Sequence, residues 1–506
     1  MNGNGRKYNM GNGRMFFGMS RSEKRANKNL GVIHMPSNDM GVKKVHYRSQ
    51  MLKLVDDYLF GTQYKGLSDW DESTCYDNDS YLKLKERKPK IVFPFAKVFQ
   101  DRMGSKLGGA SSFPKFTIED DDQANFFLND ILIKGSYFRP EMLSLSKDLV
   151  LRTSAFMRFK ITDGNLQYIK YNTNYCYPEF DSSGDLESVE IKYVYDTGET
   201  DPQTGRAMKA WFKLVLTKSA DILYDNPPYR DNVEPVFEVV ERVDHELGFV
   251  QGEWFRLGES NHSPDGEDEP IIYQMCEFID CLNYNLSLSD QAVNYGTEPQ
   301  LALTGMDSED ADKLIKSASK TWLLGREGKA EFVEIAGSGA ATAKEQREDY
   351  LKMFQHIARV VLMDPEKIAG HAQSGKALEI LHGPMVEFIN EVRPWMEKGM
   401  TRLLQKVSTT LIILNMQGVE TQFIMPPRWQ PTSFSINTVW PPIFELTTQD
   451  KQQLLSIAVQ ASNANIVSRD TAGQWLQSQG VDFGVEDWDL EQQKINSQER
   501  FNTFGF

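Results

Sequence analysis

The sequence predicts a mixed α+β fold of several domains, and three observations support this prediction. Between residues 155 and 256, apolar and polar side chains alternate with a period of two, which is typical of antiparallel hairpins. Residues 271–293 and the stretch after Gly337 instead repeat apolar side chains at helical spacing. The chain has 506 residues, which is too long for one ordinary hydrophobic core.

Composition limits the classes of function. The chain has 71 acidic and 56 basic residues and a net charge of −15, which argues against an outer surface that binds DNA phosphates. Four cysteines at unrelated spacings predict a reduced compartment without a disulfide framework. No stretch reaches the about 20 apolar residues that a membrane span needs, so we expect no such span.

Residues 1–46 predict an extended basic arm. Residues 1–50 carry ten Lys or Arg against Glu23 and Asp39, a net charge of +8 that leaves −23 for the remainder. Blocks of like charge often bind partners, so one interpretation is a contact with nucleic acid or with an acidic protein surface. The other interpretation is a solvated tail.

Helices and then strands are predicted after the arm. One helix covers residues 47–61, with Gly61 as its stop, and another covers residues 123–134. The acidic residues 119–122 directly precede the second helix, so capping explains them better than a metal site does. The predicted strands and turns are strands 156–161, 189–195, 210–216 and 236–240, and turns at Asp163-Gly164, Thr197-Gly198 and Thr204-Gly205.

The centre of the chain predicts two long helices around a small insert. The first helix covers residues 271–293, and the second begins after the glycine-rich residues 337–341. At about 1.5 Å per residue the first helix spans about 34 Å, so the two helices carry the insert to the far end of a stalk. The insert is predicted as a strand at 300–304, a helix at 308–319 and a strand at 321–324.

A further long helix is predicted over residues 375–415. Pro384 and Pro394 lie inside its pattern and predict kinks. Its apolar side chains recur at helical spacing: Met385, Phe388, Ile389, Val392, Met396, Met400, Leu403, Val407 and Leu411. Proline-rich residues 439–442 predict an edge strand or connector. The last predicted helices cover residues 448–461 and 468–479, and Ser468 offers a cap at the start of the second.

In this order, the elements resemble the subunits of tailed-bacteriophage portal proteins, which are head-to-tail connectors. Helix, insert, helix, short loop and long helix match the stem, clip, stem, tunnel loop and kinked wing helix of that family. The most specific match is the family's Ser-Gly-x-Ala-Leu signature, formed here by Ser374, Gly375, Ala377 and Leu378. The resemblance covers residues 47–489.

The resemblance implies a portal-type α+β subunit with an antiparallel β-rich wing and a helical crown. Its parts are the basic arm (1–46), wing (47–262), first stem helix (263–293), clip (294–336), second stem helix (337–363), tunnel loop (364–374), kinked wing helix with closing strands (375–446), crown helices (447–486) and C-terminal tail (487–506).

The resemblance also implies a function in the virion. Such subunits form a ring, usually a dodecamer, at one capsid vertex, after assembly in the host cytoplasm. Double-stranded DNA passes through the ring during packaging and ejection. The implied partners are the terminase large subunit, the head-tail adaptor, the major capsid protein and any scaffold. The residues implied to face DNA in the tunnel loop are Asp364, Glu366, Lys367, His371 and Gln373.

The sequence offers little enzyme chemistry. Residues 370–377 match seven positions of a phosphate-binding loop, but Ala377 replaces the hydroxyl residue that ligates magnesium. The seven histidines contain no His-Glu-x-x-His pair, and Cys276 and Cys281 lack the usual zinc spacing. We therefore expect no catalytic residues, no cofactor and no metal. The alternatives are a nucleotide-driven DNA motor subunit or another virion structural protein.

Overall fold

The computed structural model shows a mixed α+β chain. It describes residues 40–70, 76–77, 80–81, 86–118, 121–162, 165–200, 205, 207–225, 236–245, 247–258, 270–297, 300–304, 329–333, 338–360, 379–418, 436–444, 448–479, 481 and 494. Within these residues, no helix is long and apolar enough to cross a membrane. Contacts divide the chain into two compact units, which we take one at a time.

The first unit comprises Met1–Lys43, Asp56–Phe95 and Met275–Phe354. Helix α1 (Met40–Phe60) ends in it at Gly61, whose φ of 70° favours glycine and confirms the predicted stop. The short strands β1 (Tyr76–Asp77) and β2 (Ser80–Tyr81) pair with each other.

The second unit comprises Lys44–Val55, Ala96–Gln274 and Gln355–Phe506. Its helices up to the sheets are α2 (Phe95–Gly108), α3 (Asp122–Phe126), a π-helix (Phe127–Lys134) and α4 (Phe138–Arg152). Asp121 accepts a hydrogen bond from the amide of Ala124 at 2.8 Å, which confirms the capping interpretation of this acidic stretch. Helix α4 was not predicted because Tyr137 and Thr153, which flank it, have left-handed backbones rather than recognisable capping side chains.

Two antiparallel sheets form the centre of the second unit. Their strands are β4 (Ser154–Thr162), β5 (Asn165–Tyr171), β6 (Cys176–Phe180), β7 (Leu186–Thr200), β8 (Ala207–Thr217), β9 (Ala220–Asp225), β10 (Glu238–Asp244) and β11 (Gly252–Arg256). One sheet has the order β10-β9-β8-β7-β6 and the other has the order β11-β4-β5. A short 3-10 helix, Thr173–Tyr175, lies between them in the chain.

Apolar residues from both sheets form one core. Its members come from the alternating positions of the strands and their connections: Phe156, Cys176, Leu186, Val189, Ile191, Leu214, Leu216, Val250 and Trp254. Because the side chains of a strand alternate between its faces, the period-two pattern was a reliable guide to this core.

The structure corrects one predicted turn. Thr197 and Gly198 do not end a strand but lie inside β7, where the pairing with β8 shifts between Asp196 and Thr200. Gly198 has a φ of 78°, so the same conformational freedom that suggested a turn serves a bulge. The predicted turn at Gly205 lies where β7 passes to β8, and residues 163–164 lie outside the described part.

Helix α7 (Gly383–Met416) packs against β11. All nine apolar residues predicted for its inner face are buried. Pro384 lies in the first turn of α7, where a proline gives up no intrahelical hydrogen bond, and residues 379–381 before it are also helical. Pro394 lies inside the helix as predicted.

The end of the second unit contains a small sheet and two helices. Strand β14 (Ile436–Val439) pairs with β3 (Lys115–Ile118), which agrees with an edge strand before the prolines. Helices α8 (Thr448–Asn463) and α9 (Arg469–Ser478) share a core of Ala458, Ala472, Leu476 and Val481. The hydroxyl of Ser468 accepts from the amide of Thr471 at 3.1 Å and caps α9, as the sequence predicted.

Candidate functional site: a helix, hairpin and helix

The candidate site is the central segment of two helices and a β-hairpin. Helix α5 (Ile271–Thr297) has 27 residues and leads into strand β12 (Gln300–Thr304). Strand β13 (Lys329–Val333) pairs antiparallel with β12, from Gln300 opposite Val333 to Thr304 opposite Lys329. Helix α6 (Ser338–Ala358) then follows. Helix, strand and helix agree with the prediction, whereas the predicted helix 308–319 and strand 321–324 lie outside the described residues.

A shared carboxylate fixes α5 in the first unit. Tyr58 donates to one oxygen of Asp280 at 2.9 Å, and Tyr64 donates to the other at 2.6 Å. Asn283, one turn further along α5, donates to the Tyr64 hydroxyl at 3.1 Å. Hydrogen bonds to a carboxylate are stronger than neutral ones, so this group holds α5 in one rotation about its axis.

An extended segment runs along the same face of α5. The amides of Ile91 and Phe93 donate to the side chains of Ser287 and Asn283, at 3.0 and 2.9 Å. Pro89 and Pro94 interrupt this segment and lack amide donors, so a regular strand is disfavoured. Side chains of α5 instead satisfy the partly buried backbone amides.

Two further contacts fix the segment at its ends. Lys90 forms a 2.7 Å ion pair with Asp290, and the Tyr284 hydroxyl donates to the carbonyl of Arg87 at 2.8 Å. These contacts of α5 with residues 58–93 thus come from positions 280, 283, 284, 287 and 290. Their spacing of three and four keeps them on one side of the helix.

The two long helices contact each other in the first unit. The side-chain amide nitrogen of Asn285 on α5 donates to the side-chain oxygen of Gln346 on α6 at 3.2 Å. Further along α6, Phe354 is 1% exposed and lies 5.2 Å from the ring of Phe95. A polar contact and an aromatic anchor therefore fix α6 at two points.

Burial determines the protonation states in this segment. Burial, and next the charge of Asp280, raises the pKa of the Cys276 thiol to about 12. The same two causes raise the pKa of the Tyr58 and Tyr64 phenols well above their ordinary value. All three groups stay neutral at physiological pH, and the two phenols act as hydrogen-bond donors to Asp280. The arrangement therefore holds the shape of this segment and does not favour proton transfer.

The residues predicted to face DNA lie outside the described part: Asp364, Glu366, Lys367, His371 and Gln373. The signature residues Ser374, Gly375, Ala377 and Leu378 also lie outside it. The structure does describe what precedes and follows this stretch. Arg359, with a left-handed φ of 51°, ends α6 and pairs with Glu391 of α7 at 2.7 Å.

The stretch is followed by His382, just before α7. Burial lowers the pKa of its imidazole, and the cations Lys106 and Arg102 lower it further. The ring of Phe444 lies 5.1 Å from the imidazole. A neutral histidine therefore lies between this stretch and α7.

Metal-binding side chains do not cluster in the part of the chain that the structure describes. No group of three His, Cys, Asp or Glu side chains among the described residues could hold a metal ion. A cleft of about 60 Å³ in the second unit is lined by Phe180, Trp254, Arg256, Trp395 and Arg402, among others. This volume is far below the about 300 Å³ of a small-molecule site.

Sequence reasoning missed the group around Asp280. The available signal was a carboxylate directly beside the apolar face of α5, since a partly buried charge needs partners. Its two tyrosine partners lie more than 200 positions away in the chain, and no local pattern could identify them.

No protein-family model matches this chain, and no curated protein matches it. Among solved structures, it is similar to a chain of one described as "Neck of empty GTA particle computed with C6 symmetry". The identity is 9%, the TM-score is 0.33, and the match covers 60% of this chain and 79% of that chain. At a TM-score this low, the likeness carries no argument about function.

Proposed function

We propose that this chain is a portal subunit of a tailed bacteriophage, which forms the DNA channel at one capsid vertex. The observation that carries the proposal is the order of α5, the β12–β13 hairpin, α6 and α7, with the Ser374 to Leu378 signature between the last two helices. The antiparallel sheets before α5 and the helix pair at the end take the places of wing and crown.

In this proposal α5 and α6 are the stem, and the hairpin is the clip that meets terminase and then the tail adaptor. The polar contacts of α5 around Asp280 would give the stem the rigidity that a channel wall needs. The sheets of the second unit would contact the capsid protein and any scaffold.

The charge of the chain supports a channel that DNA slides through. Each phosphate that a protein neutralises adds counterion-release free energy to binding, so a basic channel would hold the duplex. A ring of subunits with a net charge of −15 each repels phosphates instead. Residues 364–374 are proposed as the narrowest part of this channel.

Electron microscopy of the purified protein tests the proposal. We expect two-dimensional class averages with rotational symmetry, an axial hole and about twelve subunits, as the family resemblance implies. Class averages of monomers or of closed assemblies without a hole, together with a matching solution mass, would reject it.

Deletion of residues 364–373 tests the tunnel loop. We expect rings of unchanged mass that package or retain DNA poorly in a packaging assay with the full capsid. Normal packaging and retention by such rings would reject the role of the loop but leave the ring itself intact.

The second candidate is a nucleotide-driven DNA motor, and residues 370–377 are the observation that favours it. A motor requires ATP hydrolysis by the purified chain and loss of that activity in Lys376→Ala. We expect neither, because Ala377 lacks the hydroxyl that would ligate magnesium. The third candidate, another virion structural protein, predicts a low-order assembly by mass.

A further inference from the structure

Strand β10 is an exposed sheet edge with unusual apolar content. It is the first strand in the order β10-β9-β8-β7-β6, and no described strand pairs with its other side. Val239, Val240 and Val243 are 56%, 61% and 49% exposed, and Val236 just before the strand is 81% exposed. Every residue of β10 is exposed.

The opposite edge of the same sheet is protected. Strand β6 contains Pro178, which has no amide hydrogen and so cannot donate to a further strand. Strand β10 contains no proline and no lysine, although a register shift between Val239 and Glu241 interrupts its pairing with β9. The outer edge of β10 is therefore the edge of this sheet whose backbone N–H and C=O groups can pair with a further strand.

Charge disfavours one register in which β10 could pair with a second copy of itself. In an antiparallel pair centred on Glu241, that residue would face its own copy and Glu238 would face Asp244, and like charges opposite each other destabilise a sheet. Arg242 is already paired with Asp244 at 2.9 Å. Among the described residues, Glu238 and Glu241 have no cationic partner, so the edge favours a basic strand.

The chain itself carries a basic segment that could form such a strand. Residues 1–39 hold seven Lys or Arg against Glu23 and Asp39, a net charge of +5. Fully extended, 39 residues reach at most about 130 Å, far enough to contact a neighbouring molecule. A strand added to a sheet edge gains main-chain hydrogen bonds and places alternate side chains against the edge.

We propose that β10 is the docking site for residues 1–39, the part of the basic arm that precedes α1, of a second copy of this chain. The acidic edge selects the arm by charge, and the exposed valines are covered when it binds. The arm would thus bind an acidic protein surface rather than nucleic acid. The proposal requires association of copies but no particular ring.

Directed photo-crosslinking between two distinguishable full-length copies tests this proposal. One copy carries p-benzoylphenylalanine in place of Val239 and one affinity tag, and the co-expressed second copy carries a different tag. We expect a cross-link between the copies that maps to residues 1–39 of the second. The matched control places the same photoreactive residue at Val194, which is 40% exposed on the interior strand β7 of the same sheet.

Arm deletions distinguish the donor of the arm. Removal of residues 1–39 from the second copy should abolish the cross-link, and removal from the photoreactive copy should leave it. The double variant Glu238→Lys, Glu241→Lys in the photoreactive copy should reduce the yield about fivefold or more. The control double variant Glu187→Lys, Glu199→Lys makes the same charge change on β7 and should not.

Several outcomes would overturn the proposal. These are a cross-link that maps outside residues 1–39, one confined to a single copy, one that survives deletion of the second copy's arm, or an equal yield from position 194. Rings without this cross-link would reject the docking site and leave the portal proposal standing. The cross-link in copies that form no ring would support the docking site and reject the portal proposal.

Discussion

Arg158 on β4 donates a 2.6 Å hydrogen bond to Asp221 on β9, and so joins the two sheets of the second unit by a buried ion pair. The side chains are 9% and 10% exposed, and His245 lies 3.4 Å from the other oxygen of Asp221. Removal of one partner would leave the other charge buried and unpaired. We expect Asp221→Ala to lower the free energy of unfolding by about 3–5 kcal/mol, measured by urea denaturation.

The double variant Arg158→Met, Asp221→Leu separates pairing from burial. It removes both charges, so we expect it to be more stable than Asp221→Ala alone. As a control, Asp244→Ala removes an exposed ion pair with Arg242 and should change stability by at most about 1 kcal/mol. Equal effects of the Asp221→Ala and Asp244→Ala variants would contradict the burial argument.

The second prediction concerns the rotation of α5. Tyr64→Phe removes the 2.6 Å hydrogen bond to Asp280 and leaves Asn283 without its acceptor. We expect a loss of about 1.5–3 kcal/mol in the unfolding free energy, because the acceptor is a carboxylate. Urea denaturation again measures it.

Tyr195→Phe serves as the control for Tyr64→Phe. Tyr195 is 44% exposed on β7, so water replaces any lost hydrogen bond, and we expect almost no change in stability. A Tyr64→Phe variant as stable as this control would show that Asp280 does not fix the helix.

The sequence predicted best the elements whose pattern is local. Helix α7 is the clearest case, because its nine apolar residues recur at helical spacing and all nine are buried. Strand β7 and its neighbours followed from alternation in the same way. Caps such as Asp121 and Ser468 were also readable, since a capping side chain lies within three residues of the amide it satisfies.

Features that depend on distant residues could not be predicted. Strand β13 has only five residues, Lys329–Val333, which is short for a pattern argument, and its pairing with β12 identifies it. The contacts of Asp280 and Arg158 join residues far apart in the chain.

The third prediction is a dependence of stability on pH through His382. Burial, Lys106 and Arg102 lower its pKa in the folded chain below the ordinary value of 6.5. The unfolded chain therefore binds this proton first as the pH falls. The contribution of neutral His382 to the free energy of unfolding is fully present above pH 6.5. It is lost as the pH falls from 6.5 through the pKa of the folded chain.

We expect His382→Gln to reduce this loss, measured as the midpoint of urea denaturation at pH 7.5 and at pH 5.5, because glutamine does not titrate. His356→Gln on the exposed side of α6 is the matched control and should keep the pH dependence of the parent chain. If both variants lose stability on acidification as the parent does, His382 is not the group responsible.

The last prediction concerns the packing of α7 on β11. Gly399 approaches Phe255 so closely that a β-carbon would lie 2.4 Å from a ring carbon, and Phe255 is 1% exposed and has no room to turn away. We expect Gly399→Ala to lower the free energy of unfolding by about 1–3 kcal/mol, because the helix must move away from the strand.

Gly383→Ala, in the first turn of the same helix, has nothing within 4 Å of the new carbon and should be neutral or slightly stabilising. Alanine improves helix propensity at both positions, so a difference in denaturation midpoint between the two variants reports the steric contact alone. Equal midpoints would show that α7 does not lie this close to β11.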